Sequence, residues 1–280
     1  MNIETLTIVG VGLIGGSIGL AAKRRGLAGQ VRGVGWRQQT LDQARARGAI
    51  DEASLDLATA APGSDIIVFC TPVDGIVGQV LAAAPLCTPG TLMTDAGSTK
   101  AVIVRGVEGH LPDGVAFVGG HPLAGSEKRG PLHAEPDLFQ GRVTVVTRTA
   151  STPPEALARA VAFWQALGSR VRLMDPDEHD QALALTSHLP HVVASALAQA
   201  LPPELYEFTG TGFRDTTRVA AGDPALWTGI FRHNRAAVLD ALDRFGARLD
   251  RFRQALRAGD PAALAALLAE AKKVRDALKG

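Results

Sequence analysis

Short apolar runs alternate with helical patterns along the first 150 residues of the chain. The apolar runs have the length of strands and lie at residues 5–9, 31–34, 65–70, 91–94, 116–118 and 142–147. Strands that alternate with helices in this way are typical of a parallel sheet covered by helices on both faces. The pattern therefore predicts an α/β fold with a doubly wound parallel sheet in residues 1–150.

The sequence after residue 150 has a different pattern. Beyond a break with the sequence ASTPP at residues 150–154, it becomes rich in Ala and Leu and shows no convincing strand. Helical patterns bounded by Pro, Gly and Asp lie at about residues 154–167, 177–201, 224–258 and 261–278. We therefore expect a second, all-α domain in residues 151–280.

One helical stretch of this second domain, residues 181–201, is apolar on nearly every side. A helix of this kind has to be buried, so we expect it in the middle of a bundle or in an interface between two copies of the chain. The composition favours a homodimer formed through the helical domain. A large core within one monomer would explain the same composition.

A glycine-rich turn follows the first apolar run. Residues 5–19 read TLTIVGVGLIGGSIG, which places Gly10, Gly12 and Gly15 between a strand and a helix. Glycines in this arrangement allow a tight turn, a close approach of backbone N–H groups to a pyrophosphate and close packing of helix on strand. We expect a dinucleotide at Gly10, Gly12, Leu13, Ile14 and Gly15. A glycine-rich turn in some other α/β domain is the alternative.

The end of the second strand bears on which dinucleotide binds. A domain specific for NAD usually has an acidic residue there, about 20 residues beyond the glycines, but this chain reads GVGWRQ at residues 33–38. Arg37 offers a cation where a 2′-phosphate would lie, and Trp36 could cover the adenine. NADP is thus the preferred cofactor and NAD a possible one. Alternatively, Arg37 is a solvated loop charge and both cofactors are accepted.

Polar residues follow three further strands at the edge where an open α/β sheet binds its ligands. The sequence places Thr71 and Pro72 after one run, Asp95 after the next and His121 after the third. We expect the first three near the cofactor, and His121 as a general base near neutral pH. Asp95 could instead only brace the turn.

Ser98 lies in the same region, just before the helix pattern that begins at residue 99. It could be a catalytic hydroxyl, or it could only be the N-cap of that helix.

Composition and charge exclude several classes of function. The 280 residues are 46% hydrophobic and 20% charged, so we expect a folded chain. With 29 basic and 28 acidic side chains, no overall field attracts nucleic acid or an anionic membrane. No run of about 18 apolar residues predicts a membrane span. With two cysteines, Cys70 and Cys87, and no disulfide pattern, we expect a cytoplasmic protein whose partners are small molecules.

Taken together, the motifs resemble those of the prephenate/arogenate dehydrogenase family, and the resemblance covers nearly the whole chain. The motifs that carry it are GVGLIGGS at 10–17, DAGSTK at 95–100, GHPLAGSEK at 120–128, TSHLPH at 186–191, GFRDTTR at 212–218 and DPALW at 223–227. The resemblance implies a Rossmann domain, a helical dimerisation domain and the oxidative decarboxylation of prephenate or arogenate on the route to tyrosine. That reaction requires no metal.

The resemblance also implies roles for individual residues. His121 is expected to act on the C4 hydroxyl of the substrate, with Ser98 orienting it, and Arg218 to hold a carboxylate through its planar guanidinium. The remaining residues expected at the substrate are His188, Ser126, Glu127, Lys128 and Arg214.

Other hypotheses compete with these assignments. Arg214, Asp215 and Arg218 could form a structural ion-pair network. The histidines at 179, 188 and 191 could suggest a metal cluster, but Pro190 interrupts the helix between the last two, and we expect no metal.

Three other classes of protein remain as alternatives. A related hydroxyacid dehydrogenase or reductase would need a lysine base, and the helical half has none before Lys272. Residues 15–19 match the GxSxG pattern of serine hydrolases, with Ser17 as nucleophile, but after the wrong strand. A protein that only senses NADP is also conceivable.

Overall fold

The computed structural model describes residues 3–125 and 128–278. The chain divides into two compact units, residues 1–234 and residues 235–280. The strands are β1 (Ile3–Val9), β2 (Ala28–Val34), β3 (Glu52–Ser54), β4 (Ile66–Phe69), β5 (Leu92–Asp95), β6 (Ala116–Val118), β7 (Gly120–Pro122), β8 (Val143–Thr147) and β9 (Arg170–Met174). The helices of the first unit are α1 (Leu13–Arg24), α2 (Gln38–Ala46), α3 (Leu57–Ala60), α4 (Val73–Ala83), α5 (Ala101–Val107), α6 (Pro154–Ala166), α7 (Pro176–Leu183), α8 (Leu189–Gln199), α9 (Thr211–Thr217) and α10 (Pro224–His233).

The main sheet has six parallel strands in the order β3-β2-β1-β4-β5-β6. The strand order reverses between β1 and β4, and such a switch point creates a crevice beyond the carboxyl ends of the strands. The doubly wound sheet that the sequence predicts is thus confirmed, and its strand order is that of Rossmann domains.

Burial on both faces explains why β4 reads as an unbroken apolar run. All four residues of β4 are buried, and they alternate between the two apolar clusters. Ile66 and Val68 belong to the cluster that contains α1 residues, whereas Ile67 and Phe69 belong to the cluster that contains α4 residues. Because successive side chains of a strand point to opposite faces, both faces of the sheet are covered by helices.

A second sheet, of three strands, corrects two expectations. Residues 142–147, expected as a strand of the parallel sheet, form β8, which pairs with β7 in antiparallel and with β9 in parallel fashion. The strand β9 lies where only helices were expected. Its sequence, RVRLM, is mostly exposed and too polar to read as a buried strand. The domain boundary at residue 150 stays a prediction.

The helical stretch from residue 176 to residue 199 is continuous but changes its winding. Between α7 and α8, residues Ala184–His188 form a π turn. Pro190 follows, and its ring can neither donate a backbone hydrogen bond nor accommodate the carbonyl four residues earlier, which favours local unwinding. Leu185 and Leu197 remain 44% and 39% exposed. The expectation that this helical stretch lies in the middle of a bundle within one chain is therefore wrong.

The second unit is a helical hairpin of α11 (Arg235–Ala258) and α12 (Pro261–Ala277). Gly259 takes a φ of +62° and ends α11, with the N–H of Asp260 bonded to the carbonyl of Ala255 at 3.0 Å. The Asp260 side chain then caps α12 by accepting from Ala262 and Ala263. Among residues 3–125 and 128–278, no helix combines the length and apolarity needed to cross a bilayer.

Candidate active site

The glycine turn at the end of β1 has the geometry of a pyrophosphate cradle. Gly10 has a φ of +94°, and its N–H bonds to Val34 at 2.8 Å. A Cβ atom on Gly15 would lie 2.2 Å from the carbonyl oxygen of Gly10, so only glycine permits this packing of helix on strand. A Cβ on Gly12 would meet nothing within 4 Å, so the space above the turn is open. The turn therefore fits a dinucleotide, with Leu13 and Ile14 partly exposed beside it.

Trp36 and Arg37, the two residues expected at the adenosine end of the cofactor, lie at the same edge of the sheet as the glycine turn. Strand β2 ends at Val34, and the side chain of Trp36 is 65% exposed. Arg37 is also exposed and occupies the N-cap position of α2. Both side chains are therefore accessible to a ligand beside β1.

Direct contacts link the glycine turn to the next strand ends. A Cβ on Gly10 would lie 2.9 Å from both the Cys70 carbonyl oxygen and Cγ2 of Thr71. The N–H of Ala96, after β5, bonds to the carbonyl of Phe69, in β4, at 2.9 Å. Thr71 and the exposed Pro72, which is the N-cap residue of α4, thus lie beside the glycine turn.

Asp95, the last residue of β5, forms a fully buried ion pair with Lys100 of the following loop. The Asp95 carboxylate also accepts hydrogen bonds from the N–H of Gly97 at 2.9 Å and of Gly120 at 3.0 Å. Since its side chain has no exposed surface, the geometry supports the bracing interpretation of Asp95 rather than a side-chain contact with the cofactor. The brace connects the end of β5 to the start of β7.

His121, the middle residue of β7, is the first member of a chain of hydrogen bonds. Its Nδ1 lies 2.8 Å from Nε2 of His179, a buried residue of α7. The Nδ1 of His179 lies 2.7 Å from Oδ1 of Asp180. The imidazole expected as a base is therefore connected through a second imidazole to a buried carboxylate.

Asp180 also holds the start of α5. Its two carboxylate oxygens accept from the N–H groups of Lys100 at 2.7 Å and Ala101 at 3.0 Å. Helix α5 begins at Ala101, and the side chain of its N-cap residue, Lys100, makes no capping hydrogen bond. Ser98 is therefore not the N-cap, as one interpretation had it, because a carboxylate from α7 takes that role. Ser98 lies partly buried in the loop between β5 and α5.

His188, the last residue of the π turn, is buried and bonded to Asn234. The amide nitrogen of Asn234 donates to the carbonyl oxygen of Asp180 at 2.7 Å and lies 3.1 Å from Nδ1 of His188. Because a carbonyl can only accept, this bond fixes which end of the Asn234 side chain is the nitrogen. Nδ1 of His188 is consequently the acceptor.

The electrostatics of these histidines favour neutral rings. Burial lowers the pKa of His121 well below its ordinary value of 6.5, and the neighbouring His179, Lys100 and His188 lower it further. Burial lowers the pKa of His179 as well, although its bond to Asp180 opposes the shift. For His188, burial lowers the pKa to about 4.

The carboxylate of Asp180 behaves in the opposite way. Burial alone raises its pKa, but the hydrogen bonds from His179, Lys100 and Ala101 outweigh burial and lower it. Asp180 is therefore charged at neutral pH while the histidines linked to it are neutral.

An aromatic cluster lies next to the π turn. The rings of His191 and Trp227 stack with centroids 3.6 Å apart, and Trp227 meets His188 edge-on at 6.2 Å. A Cβ on Gly222 would lie 2.4 Å from Nε1 of Trp227, so the turn that follows Arg218 packs closely on this cluster.

The other residues expected at the substrate are distributed as follows. Arg218 is exposed at the start of the 3₁₀ turn Arg218–Ala221, and Arg214 is exposed on α9. Lys128 is exposed, whereas Ser126 and Glu127 lie outside the described residues. Ser17 is fully buried, and its hydroxyl bonds to the Leu13 carbonyl and the Glu135 N–H, so the structure excludes the serine-hydrolase interpretation.

Sequence reasoning missed the connecting residues of the site. It considered His179 only as a metal ligand, and it assigned no part in the site to Asp180 or Asn234. His179 is 58 residues from His121 in sequence, so no local pattern relates them. The adjacent His179-Asp180 pair, in a helix that opens with a capping box at Asp175, was the one available signal.

Comparison with known proteins identifies two family domains in this order. Residues 18–173 match the nucleotide-binding domain of prephenate dehydrogenase, and residues 175–270 match the dimerization domain of prephenate dehydrogenase. The first match includes His121 and the second includes His179, His188 and Arg218.

Individual relatives match all or nearly all of the chain. A cyclohexadienyl dehydrogenase of Zymomonas mobilis is 34% identical over 98% of this chain and 96% of its own. A crystal structure of prephenate dehydrogenase from Aquifex aeolicus, in complex with hydroxyphenyl propionate and NAD+, superposes with a TM-score of 0.93 at 30% identity, covering 100% of this chain and 99% of that one. The arogenate dehydrogenase of Synechocystis superposes with a TM-score of 0.82 at 33% identity, over 98% and 100% of the two chains.

Proposed function

Since the chain belongs to the prephenate dehydrogenase family, we propose that it catalyses the NAD(P)-dependent oxidative decarboxylation of prephenate, arogenate or both. The observation that carries the proposal is the hydrogen-bonded series His121–His179–Asp180 at the same sheet edge as the glycine turn. The named activities of the relatives agree with it.

His121 is the proposed base for the C4 hydroxyl of the substrate ring. Its Nδ1 is bonded to His179, which leaves Nε2 for the substrate, and its lowered pKa keeps the ring unprotonated at neutral pH. His121 takes the hydroxyl proton while hydride leaves C4. As carbon dioxide then leaves C1 and the ring becomes aromatic, the same imidazole returns the proton to the phenolic oxygen, so no proton is gained or lost.

The bound nicotinamide supplies one piece of chemistry, the acceptance of the hydride from C4. The chain's own residues bind and orient it. Gly10, Gly12 and Gly15 provide the cradle, Leu13 and Ile14 border it, and Thr71 and Pro72 form its side toward β4. The Asp95–Lys100 pair fixes the loop that carries Ser98. Ser98 is the proposed residue that orients the hydroxyl.

The substrate carries two carboxylates, which require cationic or hydrogen-bonding partners. Arg218 is the proposed principal clamp, since a guanidinium can bind a carboxylate through two parallel hydrogen bonds. His188 accepts from Asn234 at Nδ1, so its Nε2–H is available as a neutral donor to the substrate. Lys128, Arg214, Ser126 and Glu127 complete the proposed set.

NADP is the proposed preferred cofactor. The sequence at the end of β2 has no carboxylate that would repel a 2′-phosphate, and Arg37 is exposed there. NAD is the competing cofactor, and it is the one bound in the Aquifex structure.

A homodimer is the proposed assembly. The family domain matched by residues 175–270 is a dimerization domain, and the apolar side chains of Leu185 and Leu197 are exposed in the single chain. Their burial against a second copy would remove apolar surface from water. Sedimentation analysis is expected to give twice the mass of 29.2 kDa, and a monomer at micromolar concentration would contradict the assembly.

The function is tested by initial rates with prephenate and with arogenate, each with NAD and with NADP. Formation of reduced cofactor in step with carbon dioxide and a phenolic product is the expected result. Turnover of neither acid with either cofactor would refute the proposal.

A further inference from the structure

We propose that His179 and Asp180 are positioning residues that fix the tautomer of His121, so that its Nε2 always faces the substrate hydroxyl as a proton acceptor. The inference deepens the proposed function and rests on it. Neither residue was assigned a part in the reaction by the sequence.

The argument starts at the carboxylate. Asp180 is ionised, because its oxygens accept three hydrogen bonds, and an ionised carboxylate can only accept. Nδ1 of His179 must therefore carry the hydrogen at 2.7 Å. In a neutral ring the other nitrogen then has none, so Nε2 of His179 is an acceptor.

The same logic passes to His121. Because Nε2 of His179 accepts at 2.8 Å, Nδ1 of His121 must donate, and Nε2 of His121 is left with its lone pair. An isolated imidazole would share its proton between both nitrogens. The hydrogen bonds to His179 and Asp180 keep the proton on Nδ1, so His121 is present in one tautomer only.

The surroundings of the series keep His179 neutral. Besides burial, the groups that face it are Asp180 from its own helix, Lys100 from the start of α5, Asp95 after β5 and His121 from β7. Lys100 is paired with Asp95, so the positive charge nearest the series is already neutralised. When His121 takes up a proton during turnover, the charged Asp180 stabilises the resulting cation through His179.

The position of Asp180 gives the series its rigidity. Its carboxylate is bound to the first N–H groups of α5, and its own carbonyl is bound by Asn234. Replacing Asp180 would also uncap α5 and could unfold the site. His179 is the better position to test, because its replacement leaves the bonds from Lys100 and Ala101 to Asp180 intact.

Two substitutions of His179 distinguish a role in positioning His121 from a role in packing alone. His179→Phe keeps a ring but offers His121 no acceptor, whereas His179→Gln can place an amide oxygen near the position of Nε2. The matched control is His110→Gln, because His110 is an exposed histidine on the surface. We expect His179→Phe to lower kcat about 10²-fold with little change in the KM of either substrate, and His179→Gln to recover about tenfold of that loss.

The acid limb of the pH profile of kcat provides a second readout. Because His179 contacts His121 and links it to Asp180, its loss changes how strongly the protonated form of His121 is stabilised, so the limb is expected to shift in His179→Phe. A side chain that served only in packing would change stability and leave the limb in place.

A third readout does not depend on turnover. In the full-length protein with ¹⁵N-labelled histidine, long-range ¹H–¹⁵N spectra report which ring nitrogen is protonated. We expect His121 in the Nδ1–H form in the wild type and in His179→Gln, and a mixture of both forms in His179→Phe.

The outcomes are distinct. A kcat of His179→Phe within about twofold of the wild type, or equal losses in both variants with an unchanged His121 tautomer, would overturn the inference. A wild type that oxidises neither acid would refute the proposed function instead, and the tautomer spectra would still test the inference.

Discussion

Two histidines of this protein, the partly buried His121 on β7 and the buried His188 in the π turn, differ in the group that is bonded to Nδ1. His121 is bonded to a second imidazole and through it to the carboxylate of Asp180. His188 is bonded to the amide nitrogen of Asn234, which can only donate. The first arrangement leaves Nε2 as an acceptor and the second leaves Nε2 as a donor.

The difference teaches how one residue type can serve two tasks in one site. A general base requires a free lone pair and a nearby negative charge that stabilises the cation formed. A binding residue for a substrate oxygen requires a fixed N–H and no tendency to take up the substrate's proton. The pKa of about 4 that burial gives His188 suits the second task.

Replacement of the base gives the largest expected effect. His121→Asn is expected to lower kcat by roughly 10²–10⁴-fold while the affinity for the cofactor changes little, because only the proton transfer is lost. Steady-state rates and a fluorescence titration with NADP measure the two quantities. His110→Asn on the exposed surface serves as the control. An undiminished kcat would place the base elsewhere.

The donor histidine is expected to behave differently. His188→Phe removes the Nε2–H, so the KM for the acid is expected to rise about tenfold with a smaller change in kcat. His188→Gln retains an N–H near that position and is expected to remain close to the wild type. If His188→Phe instead lowered kcat as much as His121→Asn, the two histidines would not have separate tasks.

The cofactor preference can be changed without touching either histidine. Arg37→Ala is expected to lower kcat/KM for NADP about tenfold or more and to leave NAD within about threefold, because only NADP carries the 2′-phosphate. Arg257→Ala, on the exposed end of α11, is the matched control. Equal losses with both cofactors would remove the argument for the phosphate.

The smallest expected effect is on stability. The pKa of His188 is lower in the folded protein than its ordinary value of 6.5, so between pH 6.5 and about 4 the unfolded chain binds a proton that the folded chain does not. The free energy of unfolding should therefore be unaffected above pH 6.5 and fall as the pH decreases below it. Urea unfolding at pH 7.5 and pH 5.5 measures this difference.

His188→Gln should lose less stability than the wild type across the same pH interval, because glutamine does not titrate. The remaining decrease in the variant would come from His121, His179 and His191, whose pKa values are also lowered by burial. An identical decrease in both proteins would show that His188 is not buried in neutral form.

The parts of the fold that sequence predicts are those set by local patterns. The mostly buried strands β1, β4 and β5 and the positive φ of Gly10 follow from neighbouring residues alone. The polar edge strands β3 and β9 carry no such signal, since pairing with a neighbour stabilises them rather than their own burial.

The site divides in the same way. His121 and Ser98 are predictable because each follows a strand of a recognisable sheet. The roles of His179 and Asp180 depend on α7 packing against α5 and β7, and that of Asn234 on the end of α10 meeting Asp180 and His188. Contacts over such sequence distances leave no periodic pattern. The N-cap of α5 illustrates the point, because its cap comes from a residue 80 positions away.

The pH dependence of kcat for the wild type and for His121→Asn tests the central claim most directly. We predict that the wild type has an acid limb below pH 6.5, the ordinary pKa of histidine, and that the residual activity of His121→Asn lacks this limb. An unchanged limb in the variant would show that another group takes the proton, which would contradict the role of His121 as the base.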